Sequence, residues 1–148
     1  MIILIFGQPA SGKTTLANAL YEKMWQKSIG SLIKIDGDKW RYITNNKDYS
    51  KEGRLRNLKG AFDMALYLEK EDYTPILSFV TPYSELRQYL NENSKKLVQI
   101  YLHYNEDRGR NMNFANDFEV PNENVLNLNT SEISIDECIN KIIDYLTN

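Results

Sequence analysis

Eight residues near the start of the chain, Gly7-Gln8-Pro9-Ala10-Ser11-Gly12-Lys13-Thr14, match the pattern G-x-x-x-x-G-K-[ST] and are followed by Thr15. In that pattern, small residues let successive backbone amides turn inward around phosphate oxygens at the start of a helix. The lysine reaches the β and γ phosphates, and the hydroxyl after it ligates magnesium. Gly7, Ala10, Ser11, Gly12, Lys13, Thr14 and Thr15 are therefore expected to bind ATP, with Mg2+ on Thr14. The bland alternative is a glycine-rich turn between a strand and a helix, and the full match to the motif argues against it. Further along, Leu32-Ile33-Lys34-Ile35-Asp36-Gly37-Asp38 sets two carboxylates at the end of an apolar run. Asp36 is assigned to the magnesium shell, through water, and Asp38 to orienting or deprotonating an acceptor hydroxyl. With Lys13 they supply what phosphoryl transfer requires, which is a metal, a cation and an oriented nucleophile. Taken alone, an Asp-Gly pair is more often the turn that leaves a strand.

A phosphate loop serves switches, motors and kinases alike. The guanine-reading Asn-Lys-x-Asp of GTPases has no counterpart here. The third apolar run ends Ser78-Phe79-Val80-Thr81-Pro82, without the acid that motor ATPases use to position water. The acids instead follow the second run, which favours a kinase acting on a hydroxyl.

These residues need a frame, and the hydrophobic pattern supplies one. Apolar runs of strand length occur at Ile2–Phe6, Leu32–Asp36, Pro75–Val80, Leu97–Leu102 and Val125–Leu128. Stretches with helical periodicity lie between them at Lys13–Lys27, Lys51–Glu69, Pro82–Asn93 and Ser134–Leu146, the last capped by Ser134. Such alternation predicts an α/β chain with a three-layer P-loop NTPase fold: a five-stranded parallel sheet with helices on both faces. Ligands of such sheets bind beyond the carboxyl ends of the strands, where the motif residues fall. Residues 1–148 read as one P-loop kinase domain, with a polar, weakly periodic, lid-like loop at about 104–124.

The chain has 148 residues, 42% hydrophobic, with a formal net charge of -2. That balance disfavours nucleic acid as partner, since phosphate backbones are held by excess Lys and Arg. Cys138 is the only cysteine and sits in an apolar helical stripe, so it reads as a packing residue in a reducing compartment. His103, the only histidine, reads as a solvated or core-edge residue. The opening apolar run is too short for a signal peptide and no stretch has the length of a membrane span, so no membrane association and a cytoplasmic location are expected.

The order of the polar residues carries a resemblance. Asp36-Gly37-Asp38-Lys39-Trp40-Arg41 followed by Tyr49-Ser50-Lys51-Glu52-Gly53-Arg54-Leu55-Arg56-Asn57 resembles the Asp-Gly-Asp-x-x-Arg and Phe-Ser-x-x-x-Arg-x-x-Asn pattern of adenylylsulfate (APS) kinases. Ser78-Phe79-Val80-Thr81-Pro82-Tyr83 is similar to that family's Ser-Phe-Ile-Ser-Pro-Tyr. Phe114 and Phe118-Glu119-Val120-Pro121 look like its Phe-Thr-Gly-Ile and Tyr-Glu-Ala-Pro segment. The resemblance implies transfer of the ATP γ-phosphate to the ribose 3′-hydroxyl of a nucleotide, most directly adenylyl sulfate. It also implies that Arg41 and Arg54 clamp the acceptor's charged group, Asn57 holds the acceptor, Tyr49 and Phe114 sandwich its base, and Val80 and Thr81 line the same pocket. A homodimer is a further possibility. Singly, the arginines and Asn57 would pass for solvated helix residues and the two aromatics for core-edge residues.

The chain departs from the resembled pattern in two places. The interior of the phosphate loop is Gln8-Pro9-Ala10 where the family shows a run of small residues; a proline there also suits kinases of polynucleotides or sugars. After the fourth strand the family carries a lysine-rich lid, and this chain has only Glu106-Asp107-Arg108-Gly109-Arg110-Asn111-Met112-Asn113. Arg108 is expected to stand in for the lid arginine near ATP. The short lid keeps a second acceptor open, a cytidine-diphosphate-activated phosphoramidate of the kind used in bacterial capsule pathways. A catalytically silent nucleotide-binding regulator and a polynucleotide 5′-kinase are the alternatives of other classes. The intact acids and loop count against the first, and the acidic balance against the second.

Overall fold

A computed structural model describes residues 1–148. Five strands, β1 (Ile2–Phe6), β2 (Ser31–Asp36), β3 (Tyr73–Phe79), β4 (Leu97–His103) and β5 (Leu126–Asn129), form one sheet in the order β2-β3-β1-β4-β5. All four pairings are parallel. The helices are α1 (Lys13–Gln26), α2 (Gly37–Thr44), α3 (Lys51–Lys70), α4 (Ser84–Asn93) and α5 (Ile135–Thr147), with one short 3-10 turn at Asn111–Asn113. The expected α/β architecture stands, with strand ends shifted by a residue or two.

The three layers follow from the period-two alternation of β1, all of which is buried. Ile2, Leu4 and Phe6 face α3 and α4, packing with Leu58, Phe62, Leu86 and Leu90. Ile3 and Ile5 face α1 and α5, packing with Leu16, Leu20, Met24, Cys138 and Ile142. Fourteen residues are buried on each side, so neither face is left for solvent. Cys138 is buried there, the packing role expected of it. His103 is half-buried and stacks on Tyr101, with centroids 5.4 Å apart. No helix is long and apolar enough to cross a membrane.

The sequence pattern did not anticipate α2, and its presence corrects the geometry expected of the acidic pair. Asp36 closes β2 and is also the N-cap of α2, its carboxylate accepting from the Lys39 amide at 3.3 Å. Asp38 lies in the first turn of that helix rather than on an extended strand. Asn45 ends α2 in the left-handed conformation, at φ 52. Nothing in α2 is fully buried, which is why no apolar stripe announced it.

Candidate active site

The phosphate loop leaves the carboxyl end of the central strand and wraps the start of α1. Two glycines make the path possible. A Cβ at Gly7 would stand 2.2 Å from the Leu102 carbonyl oxygen, and Gly12 takes φ +97, which side chains rarely adopt. Ala10 is also left-handed, at φ 64, a conformation costing a non-glycine residue about 1–2 kcal/mol. The first backbone bond of α1 runs from the Leu16 amide to Gly12 O, and no side chain caps the helix. The amides of Lys13, Thr14 and Thr15 therefore have no helical partner, which makes this end of α1 an anion site.

The loop's carbonyls meet donors in succession. Lys13 Nζ donates to Gln8 O at 2.9 Å, the Tyr104 hydroxyl to Pro9 O at 2.7 Å, and Arg108 Nη1 to Ala10 O at 2.9 Å. The single proton of Thr130 Oγ1 is shared between Ser11 O at 3.2 Å and His103 O at 3.3 Å. Three of these four donors come from the polypeptide after β4. The carbonyls are satisfied by these donors; the Gly7 amide goes to Val80 O and the Ser11 amide to Gln8 O, and the amides of Gly12 to Thr15 remain free for a ligand.

Burial lowers the Lys13 ammonium from an ordinary pKa of 10.5 to about 8; Asp38 and Asp36 oppose the shift and Arg110 adds to it. Asp36 accepts from the Thr14 hydroxyl at 2.8 Å and the Ser78 hydroxyl at 3.0 Å. Its burial would raise its pKa, but those hydroxyls and the amides of Lys39 and Asp38 outweigh that and hold it below the ordinary value. Thr14 Oγ1 and the ionised Asp36 are hard oxygen donors side by side. That set fits Mg2+, which takes one or two protein oxygens and completes its shell with water and phosphate.

A cleft of about 720 Å³ opens above these groups. Lys13, Thr14, Thr15, Asp36 and Asp38 line it from the donor side. Arg41, Tyr49, Arg54, Asn57, Val80, Thr81 and Phe114 line the same space, so every residue assigned to the acceptor reaches one cavity with the phosphate loop. Helix α2 brings Arg41, α3 brings Arg54 and Asn57, and the turn after β3 brings Val80 and Thr81.

Several of these side chains carry more than one contact. The hydrogen bonds of Arg41 all leave from Nη1, to Asn46 O, Asn46 Oδ1 and Asp48 O. Its guanidinium also lies 4.1 Å from the centre of the Tyr49 ring, so one face of that ring is already covered. Arg54 pairs loosely with Asp117 at 3.6 Å. Asn57 Oδ1 and Thr81 Oγ1 are buried without a hydrogen-bond partner, although both residues line the cleft. Thr81 holds φ 48, rare for a β-branched residue, and its carbonyl accepts from the buried Arg87 Nη1 at 2.8 Å.

The lid-like segment differs from expectation at Arg108. That arginine does not line the cleft: it is taken up by Ala10 O, by Thr130 Oγ1 at 3.0 Å and by Glu106, and it stacks 4.1 Å from the Tyr104 ring centre. The cation that reaches the cleft from this segment is Arg110, which has no side-chain partner. Sequence reasoning passed over it, and no local signal separated it from Arg108.

Residues 1–113 match the family model described as adenylylsulphate kinase. A probable adenylyl-sulfate kinase of Archaeoglobus fulgidus is 36% identical over 102 residues, covering 68% of this chain and 64% of that one. A cytidine diphosphoramidate kinase of Campylobacter jejuni is 32% identical over 101 residues, covering 68% of this chain and 59% of that one. The matched region thus spans less than two thirds of either relative. Among solved structures, the APS kinase of Mycobacterium tuberculosis in complex with AMPPNP and APS superimposes with a TM-score of 0.86. It covers 99% of this chain and 97% of that one, and at 19% identity it speaks for the fold. The chain belongs to the adenylylsulphate kinase family.

Proposed function

We propose that this protein transfers the γ-phosphate of ATP to the ribose 3′-hydroxyl of a nucleotide, with adenylyl sulfate as the preferred acceptor and 3′-phosphoadenylyl sulfate as product. The observation that carries the reading is the shared cleft. A phosphate loop with free amides and a set of arginines, aromatics and unpartnered polar atoms face the same cavity. A bare sugar would leave the aromatics without a partner, whereas a nucleotide offers a flat base and a charged phosphate-derived group.

In this reading the loop amides, Lys13 and Arg110 hold the triphosphate, and Asp38 accepts the proton of the 3′-hydroxyl as its oxygen bonds to the γ-phosphorus. The bond from the γ-phosphorus to the β–γ bridging oxygen breaks, and ADP leaves with that oxygen. Magnesium, bound by Thr14 and through water by Asp36, would offset charge on the β and γ phosphates. Arg41 Nη2 and Arg54 are available for the acceptor's charged group. Tyr49, by its uncovered face, and Phe114 offer surfaces for its base. Asn57 Oδ1 and Thr81 Oγ1 await polar atoms of the acceptor, since burying them unpaired costs about 1–3 kcal/mol each.

A second acceptor, a cytidine-diphosphate-activated phosphoramidate, is favoured by the Campylobacter relative and by the short segment after β4. Release of ADP from ATP and Mg2+ should be followed with adenylyl sulfate, cytidine diphosphoramidate and gluconate as acceptors, with phosphorus NMR of each product. A 3′-monoester formed fastest from adenylyl sulfate is expected, with gluconate inert. Phosphate added at a 5′ position, or equal turnover of gluconate, would refute the acceptor assignment.

A further inference from the structure

Gln8 is the second residue of the phosphate loop, yet its carboxamide is turned to a residue 107 positions away. Gln8 Nε2 donates to Ala115 O at 2.9 Å, and the Ala115 amide donates to Gln8 Oε1 at 3.0 Å. The side chain thus satisfies both backbone groups of one buried residue, as a neighbouring strand would. Phe114, immediately before Ala115, lines the cleft. Its ring meets the Tyr104 ring edge-on, with centroids 6.1 Å apart, and the Tyr104 hydroxyl returns to the loop at Pro9 O.

Phe114 is therefore attached to the phosphate loop from two directions, through Gln8 on its own chain segment and through Tyr104 beneath its ring. The turn before it, Asn111–Asn113, is exposed and offers no packing that would fix the ring. The next ties to the body of the domain are the Arg54–Asp117 pair at 3.6 Å, Phe118 packed on Phe6 and Tyr101, and the Glu119 amide to Pro82 O at 2.7 Å. Without the Gln8 pair, the stretch from Asn111 to Ala115 would be held by the Tyr104 contact alone, ahead of the ties made by Asp117 and Phe118.

We infer that Gln8 is a positioning residue that sets Phe114 in register with the phosphate loop and so couples occupancy of the donor site to the binding of the acceptor. The inference rests on the proposed role of Phe114 at the acceptor base. The loop that closes on ATP and the wall that meets the acceptor then share one pair of hydrogen bonds, so ordering one lowers the ordering cost of the other. Side-chain length matters here. Asparagine is shorter by one methylene and cannot span the gap, while glutamate keeps the bond from the Ala115 amide but sets a carboxylate against the Ala115 carbonyl.

The test compares wild type with Gln8→Ala and Gln8→Glu. Hydrogen exchange at the Ala115 amide, in the protein without nucleotide, should speed up about tenfold or more in Gln8→Ala and much less in Gln8→Glu. In steady-state assays, KM for adenylyl sulfate should rise about tenfold in Gln8→Ala, while ATP affinity measured without acceptor stays within about twofold. Acceptor affinity measured with and without a non-hydrolysable ATP analogue should lose most of its nucleotide dependence, for which couplings of about 5–150-fold are typical. Unchanged exchange at Ala115 would overturn the latch itself. Faster exchange with an unchanged acceptor KM, or a larger effect on ATP than on acceptor, would overturn the positioning role. A wild-type enzyme that phosphorylates no nucleotide would defeat the acceptor reading, and the positioning role with it, while the exchange measurement would still report on the latch.

Discussion

Replacing Lys13 with methionine should end phosphoryl transfer and at the same time make the empty protein more stable. The Lys13 ammonium is lowered from 10.5 to about 8, chiefly by burial. At 1.36 kcal/mol per pH unit, that difference is a penalty of at most about 3 kcal/mol for holding the charge in the folded state. The side chain is only partly enclosed, so water in the cleft reduces the penalty to about 1–3 kcal/mol. Below pH 8 the charge is present in both states and the whole penalty applies. Between pH 8 and 10.5 the unfolded chain binds more protons than the folded one, so stability rises with pH and the penalty disappears. Methionine keeps the stem and removes the charge, although Gln8 O loses one of its donors. Urea unfolding at pH 7 should therefore show a gain of about 1–3 kcal/mol for Lys13→Met, shrinking towards nothing at pH 10, with no ADP formed at either pH. A variant less stable than wild type at pH 7, or one whose gain is the same at both pH values, would refute the argument.

Three further outcomes can be measured directly. Asp38→Asn should lower kcat by about 100-fold or more while calorimetry finds ATP affinity little changed, because it removes the proton acceptor and leaves the phosphate loop intact. Arg110→Ala should lower kcat by about tenfold or more and leave the urea midpoint where it was, since an exposed arginine without a partner gives stability nothing to lose. Arg87→Met, by contrast, should cost about 2–4 kcal/mol in unfolding experiments, because it strands the buried Thr81 carbonyl and also takes a donor from Glu119 O.

The parts of the fold that were legible in the sequence are those that bury apolar side chains at a regular spacing. β1 could be read residue for residue because all five positions are enclosed. The phosphate loop could be read because its function demands particular residue types at fixed distances. Helix α2 was not legible: it has eight residues, buries none of them fully, and begins with the Asp-Gly-Asp that also makes turns. Its signs were its caps, Asp36 before it and Asn45 after it, which outweigh its weak apolar pattern. The exchange of Arg108 for Arg110 was hidden for a different reason. Gly109 lies between them at φ +75, and which arginine reaches the cleft is decided by that reversal of the backbone, not by composition. The acceptor residues were legible only as an ordered set, since none of Arg41, Arg54 or Asn57 differs in type from an ordinary surface residue.

The donors that meet the phosphate-loop carbonyls bear on how such proteins can change over time. Tyr104, Arg108 and Thr130 lie 95 to 119 positions from the carbonyls they satisfy, so the phosphate-loop motif is not a portable module. A graft of the motif alone into another sheet would arrive without its outer supports. Inside this chain the supports are unevenly spaced. Arg108 and Ala115 are anchored to the loop and Arg110 lines the cleft, while Asn111 to Asn113 are exposed and hydrogen-bonded only within their own turn. That stretch is the place where residues can be inserted or deleted without loosening the donor site. Variation in lid length can accumulate there at little cost to ATP binding, leaving acceptor choice free to diverge around a fixed donor loop.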